Sequence, residues 1–141
     1  NIEILVNNYI KKIKYLAEIN LFKIHNKNKS KNKKFNIDYE SNLIINQLSK
    51  NDINILLDEK GDVYETIKFS KFIQKKFIYT SKKIVFIIGG AYGFNEELNK
   101  TIEKKISLSK FTYTHDMARL LLIEQIYRAL TIIKNIPYHN Q

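Results

Sequence analysis

The sequence is 141 residues long, a size suited to one domain, and with 44% hydrophobic residues it can bury a core. It has no cysteine, which excludes disulfides, thiolate metal sites and cysteine nucleophiles. A net charge of +10 and a pI near 9.6 point to a polyanionic partner, although a lysine-rich genome with a solvated surface would give the same balance.

The bias towards Ile, Lys and Asn reads as that of an A- and T-rich genome. No apolar run approaches the ~20 residues of a membrane span, and no signal peptide is visible, so a cytoplasmic protein is expected.

Ile2, Leu5, Val6, Tyr9, Ile13 and Leu16 recur at helical spacing and predict an amphipathic helix over residues 2–16. EINLFKIH (18–25) reads as a short strand, and the low-complexity run KNKSKNKK (27–34) as a flexible loop. A second helix is predicted over 38–49, with Asp38 as N-cap. INILLDEKG (53–61) reads as a buried strand ending in a turn, followed by a helix over 66–79 with Thr66 as cap. KIVFIIGG (83–90) carries five consecutive β-branched or aromatic residues and predicts a strand buried on both faces, as in a parallel sheet. A glycine turn then leads to a short helix near 95–104, a short strand at 106–109, and a long helix over 115–134. That last helix is apolar nearly all round, which predicts burial or a subunit interface. Strands alternating with helices give the α/β class with a mainly parallel sheet.

Four segments carry candidate chemistry. IIGGAYGF (87–94) places glycines after a buried strand, where the backbone can approach a ligand, but it matches neither GxGxxG nor a P-loop and also suits a plain tight turn. In LLDEKG (56–61), Asp58 and Glu59 are adjacent and point to opposite faces of a strand, so a solvated turn is the simpler reading than paired acid/base chemistry. SLSKFTYTHDMARLLLIEQIYRAL (107–130) sets Arg119, Glu124, Gln125 and Arg128 in an apolar helix. Arg119 can reach Glu124 or Gln125, and Glu124 and Arg128 are four apart, giving either internal pairing or a polar seam towards a ligand or partner. At the C-terminus, PYHNQ offers Tyr138 as a stacking ring and His139 as a titratable base. No His/Asp/Glu set has metal-ligand spacing.

LLDEKG, VFIIGGAYGF, ISLSKFTYTHDMARLLLIEQIYRAL and PYH, in this order and spacing, resemble the ribosomal RNA large subunit methyltransferase H family. The resemblance is strong over 53–139 and weaker over 1–52. It implies an α/β SPOUT-type parallel-sheet domain with a C-terminal trefoil knot, a homodimer, and S-adenosyl-L-methionine (AdoMet) as methyl donor. The implied reaction is N3-methylation of a pseudouridine in 23S rRNA of the large subunit, with no membrane and no metal involved. Residue by residue, it implies cofactor contacts at Leu57, Gly89, Leu108, Ser109, Lys110, Phe111, Thr112 and Tyr113. His115, Arg119, Tyr138 and His139 are implied near the RNA target, with His139 or His115 assisting removal of the N3 proton. Arg119 and Arg128 would hold phosphate or the partner chain, and the lysine-rich loop would add unspecific RNA affinity.

The sequence departs from the family pattern in three places. The strand of the type KIKLLVVGK that usually precedes the first helix is not found, and the absent Met favours an N-terminus lost from the sequence. Thr114 stands where the family often has Pro, and the lysine-rich loop is more extreme than usual. A non-catalytic RNA-binding module on the same scaffold, or a SPOUT methyltransferase with another RNA target, are the competing readings.

Overall fold

Alternation along the central strand explains the layering. The computed structural model describes residues 1–140. Its elements are α1 (Ile2–Lys14), α2 (Lys33–Gln47), β1 (Ile53–Val63), α3 (Thr66–Tyr79), β2 (Ile84–Ile87), α4 (Glu96–Thr101), β3 (Lys104–Ser107) and α5 (His115–Ile133). The three strands form one parallel sheet in the order β2-β1-β3, with Ile55 opposite Phe86 on one side and Lys104 on the other. Successive β1 residues face opposite ways. Ile55 packs with Phe69 and Ile73 of α3 and with Leu122 and Ala129 of α5. Leu56 packs instead with Ile44 of α2, Ile87 of β2, Leu98 of α4 and Ile102. Both are fully buried, and each such side chain contributes about 1.5–3 kcal/mol.

Two apolar sides of α5 are packed within the chain, while Met117 stays exposed. One side meets the sheet and α3, while Ile123 and Leu130 on another side pack against Val6, Ile10 and Ile13 of α1. A polar clamp closes this seam. Glu3 accepts hydrogen bonds from Lys23 Nζ at 2.6 Å and from Arg119 Nη2 at 2.8 Å. The Lys23 bond, with Arg119 adding and partial burial opposing, holds the Glu3 carboxyl below its ordinary value of 4.5. A depressed folded-state value means that the clamp stabilises fully above about pH 4.5 and is lost as pH falls through the folded value. The thermal midpoint of Glu3→Gln should therefore sit below that of the wild type at neutral pH and converge with it in acid. A gap of equal size at both pH values would contradict this.

The parallel α/β architecture expected from the sequence is present, and α3 and α5 fall where their periodicity places them. Other local expectations are corrected. Residues 18–25 form no strand: no sheet edge lies alongside, and Phe22 is left 82% exposed. Strand propensity yields to context where no partner is available. Helix α2 begins at Lys33 rather than 38, because Asn32 caps it through Phe35 N at 3.1 Å. Asp38 lies inside the helix and accepts from Asn95 Nδ2. The cap of α3 is Glu65, without a side-chain bond, while Thr66 Oγ1 donates to Gln125 Oε1 at 2.9 Å. As an edge strand, β2 is shorter than predicted, and only Ile87 in it is buried. Strand β1 does not end in a turn at Gly61 but runs to Val63, so that Ile106 of β3 pairs with both Leu57 and Asp62.

Candidate functional site

Parallel strands carry their loops out at one end, and ligands of open α/β sheets bind there. The segments at residues 57–60, 88–94 and 107–113 converge on a cleft of about 480 Å³, within the range of small-molecule sites. Of the eight residues singled out for cofactor contact, seven line it: Leu57, Gly89, Leu108, Ser109, Phe111, Thr112 and Tyr113. Lys110 belongs to the same loop, is exposed, and does not line the cleft.

Local geometry shapes the walls. Gly93 has φ +89°, a conformation natural to glycine, and its N–H donates to the Gly90 carbonyl at 3.0 Å to close the turn. A Cβ on Gly89 would lie 3.1 Å from the Gly93 carbonyl carbon and oxygen. The opposite wall is held by the Ser109 hydroxyl, which accepts from Phe111 N at 3.0 Å and pairs with the Tyr113 hydroxyl at 3.0 Å. Ser107 Oγ donates to the Ser109 carbonyl at 2.7 Å. Phe111 stands 78% exposed at the rim, available to cover a flat ligand.

The four residues singled out for the RNA target fall into separate groups. His115, capped into α5 by Thr114, lines the cleft, with Nε2 3.5 Å from Asp116 Oδ1. Arg119 turns away to Glu3 of α1 and is not paired with Glu124 or Gln125. Tyr138 and His139 lie on the middle of α5 and do not line the cleft. The Tyr138 hydroxyl donates to Glu124 Oε1 at 3.2 Å and meets the Tyr9 hydroxyl at 3.2 Å, and its ring packs edge-on against Tyr127 at 4.7 Å. Burial, with the Tyr9 bond and the Glu124 charge adding, pushes the Tyr138 phenol well above its usual range, so it stays protonated and donates.

Arg128 is the hub of this second group. Its guanidinium grips Glu124, the i,i+4 pair expected from the sequence, and lies over the Tyr138 ring at 4.7 Å. Its Nη1 is 3.1 Å from His139 Nδ1. A guanidinium only donates, so Nδ1 accepts and the His139 proton sits on Nε2. That Nε2 is buried and has no partner among the described residues.

The family model described as "Predicted SPOUT methyltransferase" matches residues 1–139. The chain belongs to the SPOUT methyltransferase family. Three relatives, each bearing the name "Ribosomal RNA large subunit methyltransferase H", show the range of similarity. The protein of Parabacteroides distasonis is 48% identical over 72% of this chain, and the match spans 65% of that relative's length. Those of Flavobacterium johnsoniae and Phocaeicola vulgatus are 39% and 37% identical, over 100% and 96% of this chain and 91% and 88% of their own lengths.

Sequence reading of this SPOUT chain set Asp58 and Glu59 aside as a solvated turn and missed Lys60 and Tyr9. Asp58, Glu59 and Lys60 line the cleft with Leu57, since the β1 backbone passes along it. Tyr9 supports the C-terminal tail from α1, more than a hundred residues away in the chain, and no local pattern signals so distant a contact. Among the described residues no cluster suited to a metal is found, and no helix is long and apolar enough to cross a membrane.

Proposed function

We propose that this chain is an AdoMet-dependent methyltransferase that methylates N3 of a pseudouridine in 23S rRNA, acting as a homodimer. The observation that carries the reading is the convergence of seven resemblance-derived contact residues on one cleft at the C-terminal end of a parallel sheet. The names of the relatives support the rRNA substrate.

The cleft fits the cofactor. Its volume is adequate, and its lining comes from three loops that include Gly89, Gly90 and Gly93, where main-chain groups can meet an adenine edge and an amino-acid group. A Cβ on Gly89 would crowd the Gly93 main chain and the Phe94 ring, so glycine keeps this wall of the cleft low, and Phe111 offers an aromatic cover. When bound there, AdoMet would supply an electrophilic methyl group on a sulfonium, with a neutral thioether as the leaving group. The chain's task is to align N3 with that methyl, to exclude water, and to receive the N3 proton. Of the three histidines only His115 lines the cleft, so it is placed to take the proton as N3 attacks. Tyr138, whose proton goes to Glu124, and His139, held by Arg128 with its Nε2 buried, brace the C-terminal tail on α5 and position it towards the RNA. Since neither lines its own chain's cleft, they act on the cleft of the second copy.

His115→Ala should lower single-turnover methylation of the rRNA stem-loop by about 10²–10⁴-fold with cofactor binding intact. An unchanged rate removes its role as base. Sharing of sites between copies predicts complementation. Gly89→Arg and His139→Ala chains, each inactive alone, should on mixing recover about a quarter of wild-type activity, since half the dimers are mixed and each holds one intact site. No recovery in demonstrably mixed dimers would place the tail and the cleft of one chain together.

A further inference from the structure

The run at residues 26–34, low in complexity as text, is patterned in space. Its even positions, Asn26, Asn28, Ser30 and Asn32, make the internal hydrogen bonds. Asn26 Oδ1 accepts from Asn28 N at 2.9 Å, and Asn26 Nδ2 donates to Glu40 Oε2 at 3.1 Å. Asn28 Nδ2 donates to the Tyr39 hydroxyl at 2.8 Å. Ser30 is held at both main-chain groups by the buried Asn36, whose Oδ1 accepts from Ser30 N at 2.8 Å and whose Nδ2 donates to Ser30 O at 2.7 Å. Ser30 Oγ accepts from Asn32 N at 3.1 Å, and Asn32 caps α2. The odd positions Lys27, Lys29 and Lys31 project outward, exposed, with no carboxylate paired to them among the described residues. What reads as a flexible tether is a loop pinned through alternate residues.

Aromatic rings and the cleft adjoin this loop. Phe35, 48% exposed, stacks on Tyr39 with centroids 6.0 Å apart and planes at 19°. Lys33 Nζ lies 4.7 Å from the centroid of Tyr92, which belongs to the glycine turn lining the cleft. Glu40, held by Asn26, sits where a side chain on Gly90 would go. A fixed row of cations beside exposed rings is the arrangement that holds a single nucleic-acid strand, phosphates on the lysines and bases on the rings.

We propose that residues 26–35 form a pre-organised docking platform for a single-stranded RNA segment, which it leads onto the glycine-turn side of the cleft. The proposal rests on the rRNA reading above for the identity of the strand, and on this loop's own geometry for the site. A disordered lysine tail would give affinity by charge alone. A pinned loop gives affinity that also depends on the uncharged residues that pin it.

The test is a fluorescence-anisotropy titration of the full chain with a labelled mixed-sequence single-stranded RNA of about 20 nucleotides, at several salt concentrations. The triple substitution Lys27→Gln, Lys29→Gln, Lys31→Gln should weaken binding about tenfold or more and reduce the salt slope by about 2, at roughly 0.7 for each phosphate that a lysine had neutralised. The matched triple Lys68→Gln, Lys71→Gln, Lys75→Gln on α3 removes the same charge from exposed positions and should change binding by less than about twofold. Asn36→Ala, which alters no charge, should weaken binding several-fold, with folding checked by circular dichroism. Equal losses from the two triples, wild-type affinity in a folded Asn36→Ala chain, or no RNA binding by the wild type would overturn the proposal. Calorimetry with AdoMet on the same proteins keeps the two readings apart: failure to bind cofactor counts against the methyltransferase, while the RNA titration still judges the loop.

Discussion

Valine in place of Gly61 is expected to lower the thermal midpoint by about 10 °C or more, or to prevent folding. A Cβ at Gly61 would stand 2.7 Å from three main-chain atoms, Ile106 C and N and Lys105 C. None of these belongs to a flexible side chain, so relief requires β1 and β3 to part. Overpacking of this kind costs about 3 kcal/mol or more, and a chain of this length loses roughly 3–5 °C per kcal/mol. The parting would also break the pairing of Ile106 with Leu57 and Asp62, from which the cleft's first wall is built. Gly61→Ala should fall between the two. Thermal unfolding followed by circular dichroism checks both, and a valine variant within about 2 °C of the wild type would show that the strands part at little cost.

Arginine at position 89 is expected to abolish AdoMet binding while leaving the chain folded. The added Cβ would meet Gly93 C and O at 3.1 Å and Phe94 Cδ1 at 3.3 Å, all in residues that line the cleft, so the longer side chain is expected to crowd it. Calorimetric affinity should fall by at least about 100-fold, or roughly 3 kcal/mol. Gly90→Ala is the control on the same turn. Its Cβ would collide only with the end of the Glu40 side chain, which can swing aside, so cofactor affinity should change by less than about tenfold. If Gly90→Ala proves as harmful as Gly89→Arg, the effect lies in the turn's stability and not in the filling of the cleft.

Much of the cleft was legible because its signals are local. Glycines after an apolar strand, a polar loop after a short strand, and a capped helix each announce themselves within ten residues, and the order of elements then brings the loops to one end of the sheet. The resemblance supplied which of those loop residues to choose. Less legible were the charged residues of α5. Helical spacing pairs Glu124 with Arg128 correctly, yet Arg119 pairs with Glu3 across the chain, a choice that depends on which helix packs beside α5.

Composition, alternation and periodicity determined the parallel α/β class, the positions of α3 and α5 and the candidate cleft loops, because backbone period and side-chain polarity act over a few residues. Tertiary structure decided what depends on partners distant in sequence. It left residues 18–25 without a sheet edge, made Gly61 a point of strand contact instead of a turn, and set Tyr138 and His139 on α5 away from the cleft. It also pinned the lysine-rich loop, since the bonds that hold it come from Asn36, Tyr39 and Glu40 of a helix whose packing the run itself does not specify.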